Sequence, residues 1–418
     1  MQQVVAMVFA GGRVPELSVL TEKRPKSAVI FAGTYRTIDF ALTNLTNSGI
    51  NHVGILAQYR PASLVNHVGI GMAWDLVGTN RGITFLSPYI GPDLGEWYRG
   101  PADALYQNIE FINKHKPEDV LIVSGDHAYS MDYTHILNFH REKASDLTMA
   151  FKPIKENPSR FGIGELNAVG QLVNFTEKPE HPRSNFASIG VYVFKREILV
   201  NELLKAVSSD KAKTYHIHEV IRRMIPHYSA YGYIFHGDWF YTRTVDEYYQ
   251  FHMDLINPES KLDLKPWHVR SETMSRDMPS PLPARFLSGA KIENALVCAG
   301  CEIAGTVNNS VLSPGVCVAK DAVVSDSVLW DNVHVEKGAR LHRVISDKHT
   351  IIGQNAVIGT GKTIISEEMP QSLTKGITLL GRDIQIPEKT KIGYNCILHS
   401  NVSKELLIKE IPSGKSLP

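Results

Sequence analysis

The sequence predicts an α/β domain followed by a parallel β-helix, and three observations carry that expectation. A short apolar run, VVAMVF from Val4, empties into a loop with Gly11 and Gly12. Apolar strands then alternate with amphipathic helical stretches to residue 257, and past residue 287 apolar residues recur every six positions.

At 418 residues the chain is long enough for two or three domains with a full core. Its formal net charge of +1 gives no reason to expect a nucleic-acid or acidic-membrane partner. No apolar run reaches membrane-spanning length, and the opening MQQVVAMVFAGG lacks the charged start and long apolar segment of a secretory signal. A soluble, cytoplasmic protein is expected. The four cysteines do not make a disulfide framework, and the Cys298–Cys301 pair has no second pair at zinc-site spacing, so packing as small hydrophobes is expected.

Taken in order, the first run reads as a buried strand. Its loop, with Gly11, Gly12 and Gly33, is of the kind that brings bare backbone N–H groups up to a phosphate, and Lys26 could add a cation over the same anion. A plain strand-to-helix turn is the other reading, because glycine also serves tight turns. Further strands are expected at 53–56, 120–123, 147–151 and 191–194. Helices are expected over 103–115, where Leu105, Ile109 and Ile112 share a face, and over 132–143, where Ile136, Leu137 and His140 do. His135 and His140 read as surface or helix-face residues without a role. Residues 258–287, with Pro266, Pro279, Pro281 and Pro283, read as a linker, giving domains at 1–257 and 288–418.

Val311, Cys317, Val323, Leu329, Val335 and Leu341 follow one another at six-residue spacing; the series resumes at Ile352 and Ile358 after an expected insertion near Asp347, and again at Ile386, Ile392 and Leu398. That is the pattern of a triangular parallel β-helix, with an irregular β-sandwich as the alternative. Open ends and flat faces of a solenoid invite subunit contacts, so an oligomer is expected.

Several blocks in order resemble the ADP-glucose pyrophosphorylases, the glucose-1-phosphate adenylyltransferases: YRTIDFALTNLTNSGI from Tyr35, AQYRPASLVNHVG from Ala57, WYRGPADALYQN from Trp97, SGDHAYSMDY from Ser124, FTEKP from Phe175, ASIGVYVF from Ala187 and GARLHRVISDKHTIIG from Gly338. The resemblance implies a Rossmann-like nucleotidyltransferase domain with a mixed, mostly parallel sheet, then a left-handed hexapeptide β-helix. It implies in-line attack of glucose 1-phosphate on the α-phosphorus of ATP with Mg²⁺ as cofactor, releasing pyrophosphate and giving ADP-glucose for glycogen-type synthesis. Such chemistry needs positioning and charge neutralisation more than covalent help. Allosteric control by sugar phosphates and a homotetramer, or a heterotetramer with an active paralogous subunit, are implied as well.

Carried over residue by residue, the resemblance assigns Lys26 and Asp126 as catalytic, Asp126 also as the metal ligand. Taken alone, Asp126 reads equally as a cap or turn residue. Glu177, Lys178, Ser188, Tyr192 and Trp239 would bind the sugar phosphate, and Gly11, Gly12, Gln58 and Gly125 the nucleotide. Glu219 is a looser match for an aspartate near the sugar, and Pro101 stands where the family has a threonine.

The triphosphate side departs from the pattern. The family's GGRGxRL is here Gly11-Gly12-Arg13-Val14-Pro15-Glu16-Leu17, so Val14 replaces a glycine, Pro15 removes a donor and Glu16 replaces the arginine facing the polyphosphate. Where the family reads roughly GYWRDVGTxxxY, this chain has GDWFYTRTVDEYY from Gly237, which puts Tyr241 in place of the second metal-binding aspartate. The expectation is a catalytically weak or inactive sugar-phosphate-binding subunit that tunes an active partner. The alternative is a working enzyme compensated from Arg13, Arg24 or Asp238. A third class is a scaffold or acyltransferase using His334, His342 or His349; it would bind acyl-CoA, and that binding is expected to be absent, with these histidines as outward-facing polar positions.

Overall fold

The computed structural model describes residues 4–88, 97–155, 157–208, 215–273, 282–403, 405–407 and 410–418. The centre of the proline-rich linker, with Pro279 and Pro281, lies outside them. The chain forms two compact units, one of Met1–Gly12 with Thr37–Tyr241, the other of Arg13–Arg36 with Thr242–Pro418.

The first unit is built on a ten-stranded mixed sheet. Its strands include β1 (Val4–Phe9), β2 (His52–Leu56), β3 (Arg81–Leu86), β4 (Asp119–Ser124), β5 (Leu147–Pro153), β6 (Gly162–Leu166), β7 (Leu172–Glu177), β8 (Phe186–Lys195) and β9 (Ala230–Ile234). Strands β4, β1, β2 and β3 lie side by side and parallel, while β8 runs antiparallel against β4, β5 and β6. The parallel strands read as unbroken apolar runs because both faces are covered: Val5 to Val8 and Val120 to Val123 are fully buried.

The expected helix over 103–115 is two helices, Pro101–Gln107 and Ile109–Lys114. Asn108 breaks it: its amide donates to the Ala104 carbonyl at 2.8 Å and to the Tyr98 hydroxyl at 2.9 Å, an asparagine competing with the helical backbone. The helix Tyr133–Glu142 has Asp132 as its N-cap, accepting from the Thr134 N–H at 2.8 Å. His135 is exposed, but His140 is 1% exposed, with Nδ1 2.8 Å from the Thr148 hydroxyl.

In the second unit the strands stack in parallel ladders. Val307, Val324, Leu341, Ile358 and Ile392 form one inward-facing column, and Leu329, Ser346, Leu380 and Leu398 another. Between Val307 and Ile358 a full coil is 17 residues, one short of three six-residue sides, while the coil from Ile292 to Val307 is shorter and that from Leu380 to Leu398 keeps all three sides at full length. The shortened side corrects two expectations. Val311, Cys317 and Val323 stand one residue before the inward-facing Leu312, Val318 and Val324, whereas Leu329, Val335 and Leu341 do point inward. The break near Asp347 is that short side rather than an insertion; the added chain lies between the strands Val357–Thr360 and Thr378–Leu380. On the short side Ser310 Oγ accepts the Ser327 N–H at 3.1 Å and Ser327 Oγ accepts the Val344 N–H at 3.1 Å, so hydroxyls bridge neighbouring coils. The four cysteines are free thiols, and Cys301 and Cys396 are buried in the coil.

Residues Arg13–Arg36 belong to this unit. Leu17, Val19, Leu20, Val29 and Ile30 share a buried cluster with Val245 and Tyr248 of the helix Val245–Ile256 and with Val311, Val328 and Trp330 of the coil. That helix starts at a capping box, Thr244 with Glu247. Among the described residues no helix is long and apolar enough to cross a membrane.

Candidate functional site

In the first unit the loops following β1, β2 and β4 come together. Gly11 leaves β1 beside Gln58, where a Cβ would meet the Gln58 nitrogen at 2.9 Å, and the Gly11 carbonyl accepts from the Tyr59 N–H at 3.3 Å. Gln58 is pinned in turn by Tyr98, whose N–H donates to Oε1 at 2.5 Å and whose carbonyl accepts from Nε2 at 3.3 Å. Gly125 donates to the Phe9 carbonyl at 2.9 Å, and a Cβ there would meet Val8 at 3.0 Å. These two glycines answer close backbone approaches; around Gly12 there is open space.

Asp126 follows Gly125 in the turn after β4. Its carboxylate accepts from the Ser124 hydroxyl and lies 3.4 Å from His127 Nε2. Trp239 and Tyr241 are brought against this turn by antiparallel pairing of Trp239–Phe240 with Ala128–Tyr129. The rings form a cluster that sequence reasoning missed in part: Tyr241 lies edge-on to His127 at 4.7 Å, parallel to Trp239 at 6.1 Å, and 5.7 Å from Phe161. Tyr241 is therefore an integrated aromatic contact beside Asp126. Asp126 adds a single carboxylate, and among the described residues no group of three or more His, Cys, Asp or Glu side chains could hold a metal ion. This donor set does not make an all-protein cage, but one carboxylate fits a Mg²⁺ held jointly with nucleotide phosphates, and Asp126 would be that ligand.

A second group lies on β7 and β8. Glu177 and Lys178 are 3.7 Å apart at the end of β7, both partly exposed, with the Lys178 N–H fixed on the Phe161 carbonyl at 3.0 Å. A register shift in β8 between Ser188 and Tyr192 sets the Ser188 hydroxyl 3.4 Å from the Tyr192 hydroxyl. Burial pushes the Tyr192 phenol up to about 12, against the Ser188 hydrogen bond and with a smaller push from the Glu177 carboxylate, so it is a neutral donor at physiological pH. Glu219 lies on the helix Ile217–Met224; the neighbouring His218 is held below its ordinary range by burial, against the opposing field of Glu177.

Lys26 and Glu16 are carried by the second unit. Lys26 begins a 3₁₀ turn and is 1% exposed. The loop before it is remade as a 3₁₀ helix, Pro15–Thr21. Pro15 stands in its first turn, where a missing N–H costs least, and the Val14 carbonyl accepts from Leu17 N–H at 3.1 Å and from the Thr21 hydroxyl at 2.7 Å. Glu16 Oε1 accepts from both Nε and Nη2 of Arg243, at 2.9 and 2.7 Å. Arg243 stands where the aligned family string has its second glycine, so the charge missing at position 16 reappears there. A single departure from a family string, arginine in TRT, was the available signal. Arg24, considered above as a substitute cation, is buried in an ion pair with Asp347 and is removed from that role.

A family model for nucleotidyl transferases matches residues 5–257, and one for GlmU-like C-terminal hexapeptide domains matches residues 282–380. The glucose-1-phosphate adenylyltransferase of Thermomicrobium roseum is 40% identical, covering 100% of this chain and 98% of that protein. The chain belongs to the glucose-1-phosphate adenylyltransferase family. Proteins of the same description from Thermosipho africanus, at 38% identity over 99% of this chain and 100% of theirs, and Acetivibrio thermocellus, at 36% over 99% and 96%, match end to end as well. The fold fits this family assignment: a mixed-sheet α/β unit and parallel coils of the hexapeptide kind.

Proposed function

We propose that this member of the family binds glucose 1-phosphate but transfers adenylyl groups weakly or not at all, and serves as the regulatory subunit of a mixed oligomer. The observation that carries the reading is that Val14, Pro15, Glu16 and Tyr241 are all built into the fold. Val14 packs with the apolar cluster, Pro15 opens a helix, Glu16 is tied to Arg243, and Tyr241 is stacked on Trp239 and edge-on to His127. Residues spent in this way are not arranged around a triphosphate. Glu177, Lys178, Ser188 and Tyr192, by contrast, retain a cation, a carboxylate and two hydroxyls suited to a sugar phosphate.

In this reading Lys178 pairs with the phosphate, Glu177 accepts from sugar hydroxyls, and Ser188 and the neutral Tyr192 donate to the ring oxygens. Gln58 and the close-packed Gly11 and Gly125 form the floor for an adenine base. ATP is expected to bind more weakly than in a member with the arginine and second aspartate. Asp126 would hold Mg²⁺ together with the nucleotide phosphates, and without the second aspartate of the family pattern the ion would be held less tightly. Losing two charge-stabilising contacts at about 2–4 kcal/mol each would slow turnover by roughly four or five powers of ten.

The test is calorimetric titration with glucose 1-phosphate beside an assay of pyrophosphate release from ATP. Micromolar to millimolar sugar-phosphate binding with turnover below about 10⁻² per second is expected. Turnover at ordinary enzymatic rates would overturn the reading and favour the compensated enzyme, for which the Glu16–Arg243 pair is the supporting observation.

A further inference from the structure

We propose that Asp347, on the coil, is a positioning residue for Lys26. The inference rests on the reading of Lys26 as a residue that faces the substrate phosphates. The two arginine nitrogens of Arg24 donate to the two carboxylate oxygens of Asp347 at 2.7 and 2.9 Å, and the side chains are 1% and 0% exposed. Arg24 Nη1 also donates to the Leu20 carbonyl at 3.1 Å, and its guanidinium lies 5.0 Å from the centre of the Trp330 ring. Both terminal nitrogens and one flat face of the guanidinium are thus engaged.

The carboxylate is fixed as well. Asp347 Oδ1 accepts from the Lys348 N–H at 2.6 Å, and the Asp347 N–H is tied to the Leu380 carbonyl of the next coil at 2.8 Å. One residue, Pro25 with φ −68°, separates Arg24 from Lys26. A proline leaves little torsional slack, so the clamp on Arg24 sets the start of the Lys26 turn, which closes through Ala28 N–H to the Pro25 carbonyl at 3.0 Å. Downstream the segment is held by the Tyr248 hydroxyl on the Ile30 carbonyl at 2.8 Å and by Arg36 on Asp331 at 3.3 Å. Asp331 also pairs with the buried Lys348 at 2.5 Å, adjoining Asp347.

Buried ion pairs add little net stability compared with apolar packing, yet removing one partner strands the other. Their value lies in fixing geometry. Replacing Asp347 leaves Arg24 buried without its counter-charge, and the arginine relaxes by drawing its segment, Lys26 included, out of place.

The test compares the full-length wild-type chain with Asp347→Asn and Asp347→Glu. Acetylation by acetic anhydride, read lysine by lysine by peptide mass spectrometry, should accelerate at Lys26 by roughly tenfold in Asp347→Asn, with Lys178 and Lys391 unchanged. Asp347→Glu, which keeps the charge, should recover much of the protection. If Asp347→Asn does not fold, Arg24→Lys, which loses the two-pronged geometry but keeps the charge, should give the same selective acceleration. A folded variant that acetylates Lys26 at the wild-type rate overturns the proposal. Rapid turnover by the wild-type chain would sink the regulatory reading and leave the acetylation result standing.

Discussion

Substituting Glu16→Arg to restore the family arginine should fail by itself, because the new guanidinium meets Arg243. In the native chain Glu16 Oε1 lies 2.7 and 2.9 Å from two Arg243 nitrogens, with the side chains 33% and 30% exposed. Losing a partly exposed pair costs about 0.2–1 kcal/mol. Placing two like charges about 4 Å apart adds about 1–4 kcal/mol for effective dielectric constants between 80 and 20. A net cost of about 1–5 kcal/mol should lower the melting temperature by roughly 2–20 °C for a unit of this size. Part of the loss should return on adding 0.5 M NaCl, which shortens the screening length to a few ångströms. The double variant Glu16→Arg with Arg243→Gly relieves the repulsion and should melt near the wild type. Adding Tyr241→Asp to that background gives the fairest restoration of adenylyl transfer, measured as pyrophosphate release. Calorimetric scans at low and high salt decide the matter: a single Glu16→Arg variant that melts with the wild type at low salt would refute the electrostatic argument.

Other outcomes follow from the same geometry. His252 is fully buried, donates from Nδ1 to the Tyr248 carbonyl at 2.7 Å and accepts the Ala32 N–H on Nε2 at 3.1 Å, so it must stay neutral; burial holds it down to about 4. Because the folded value lies below the unfolded 6.5, its contribution is complete above pH 6.5 and drains away towards pH 4, about 3 kcal/mol in all; His252→Gln should flatten the acid limb of the stability profile. Lys178→Met should weaken glucose 1-phosphate binding by roughly tenfold or more in calorimetry without shifting the melting temperature, and equal affinity would remove it from the sugar-phosphate pocket. Leu329→Ala should cost about 2–5 kcal/mol in denaturant unfolding, because its ladder neighbours above and below cannot close a cavity in a stacked coil. A fragment ending at residue 257 should be poorly soluble on expression, since Leu17, Val19, Tyr248 and their neighbours would lose Val311, Val328 and Trp330 as cover.

What the sequence revealed depended on how local each signal was. The buried strands showed as apolar runs because both faces of β1 and β4 are covered, and the coil showed because its inward positions recur at short range. The exact phase of the coil was hidden, since a valine before a valine, as at Val323 and Val324, satisfies either register. Asn108 looked like one residue of an amphipathic helix, and its role as a breaker depends on Tyr98, ten positions earlier. Departures at Val14, Pro15, Glu16 and Tyr241 were legible as missing chemistry. Their new employment was not, because the partners Arg243, His127 and Phe161 meet them only after folding. The buried Arg24–Asp347 pair spans 323 positions and leaves no pattern in either neighbourhood.

The three equal 17-residue coils between Val307 and Ile358 show how this half of the molecule can change length. Because Val307, Val324, Leu341 and Ile358 occupy equivalent corners, excising residues 324–340 would splice Val323 to Leu341 with every later side chain still facing the same way. Where coils of other lengths occur, as from Ile292 to Val307 and from Leu380 to Leu398, the difference is taken up outside the paired strands, so removal of one whole coil keeps the ladder while the turns carry the variation in length.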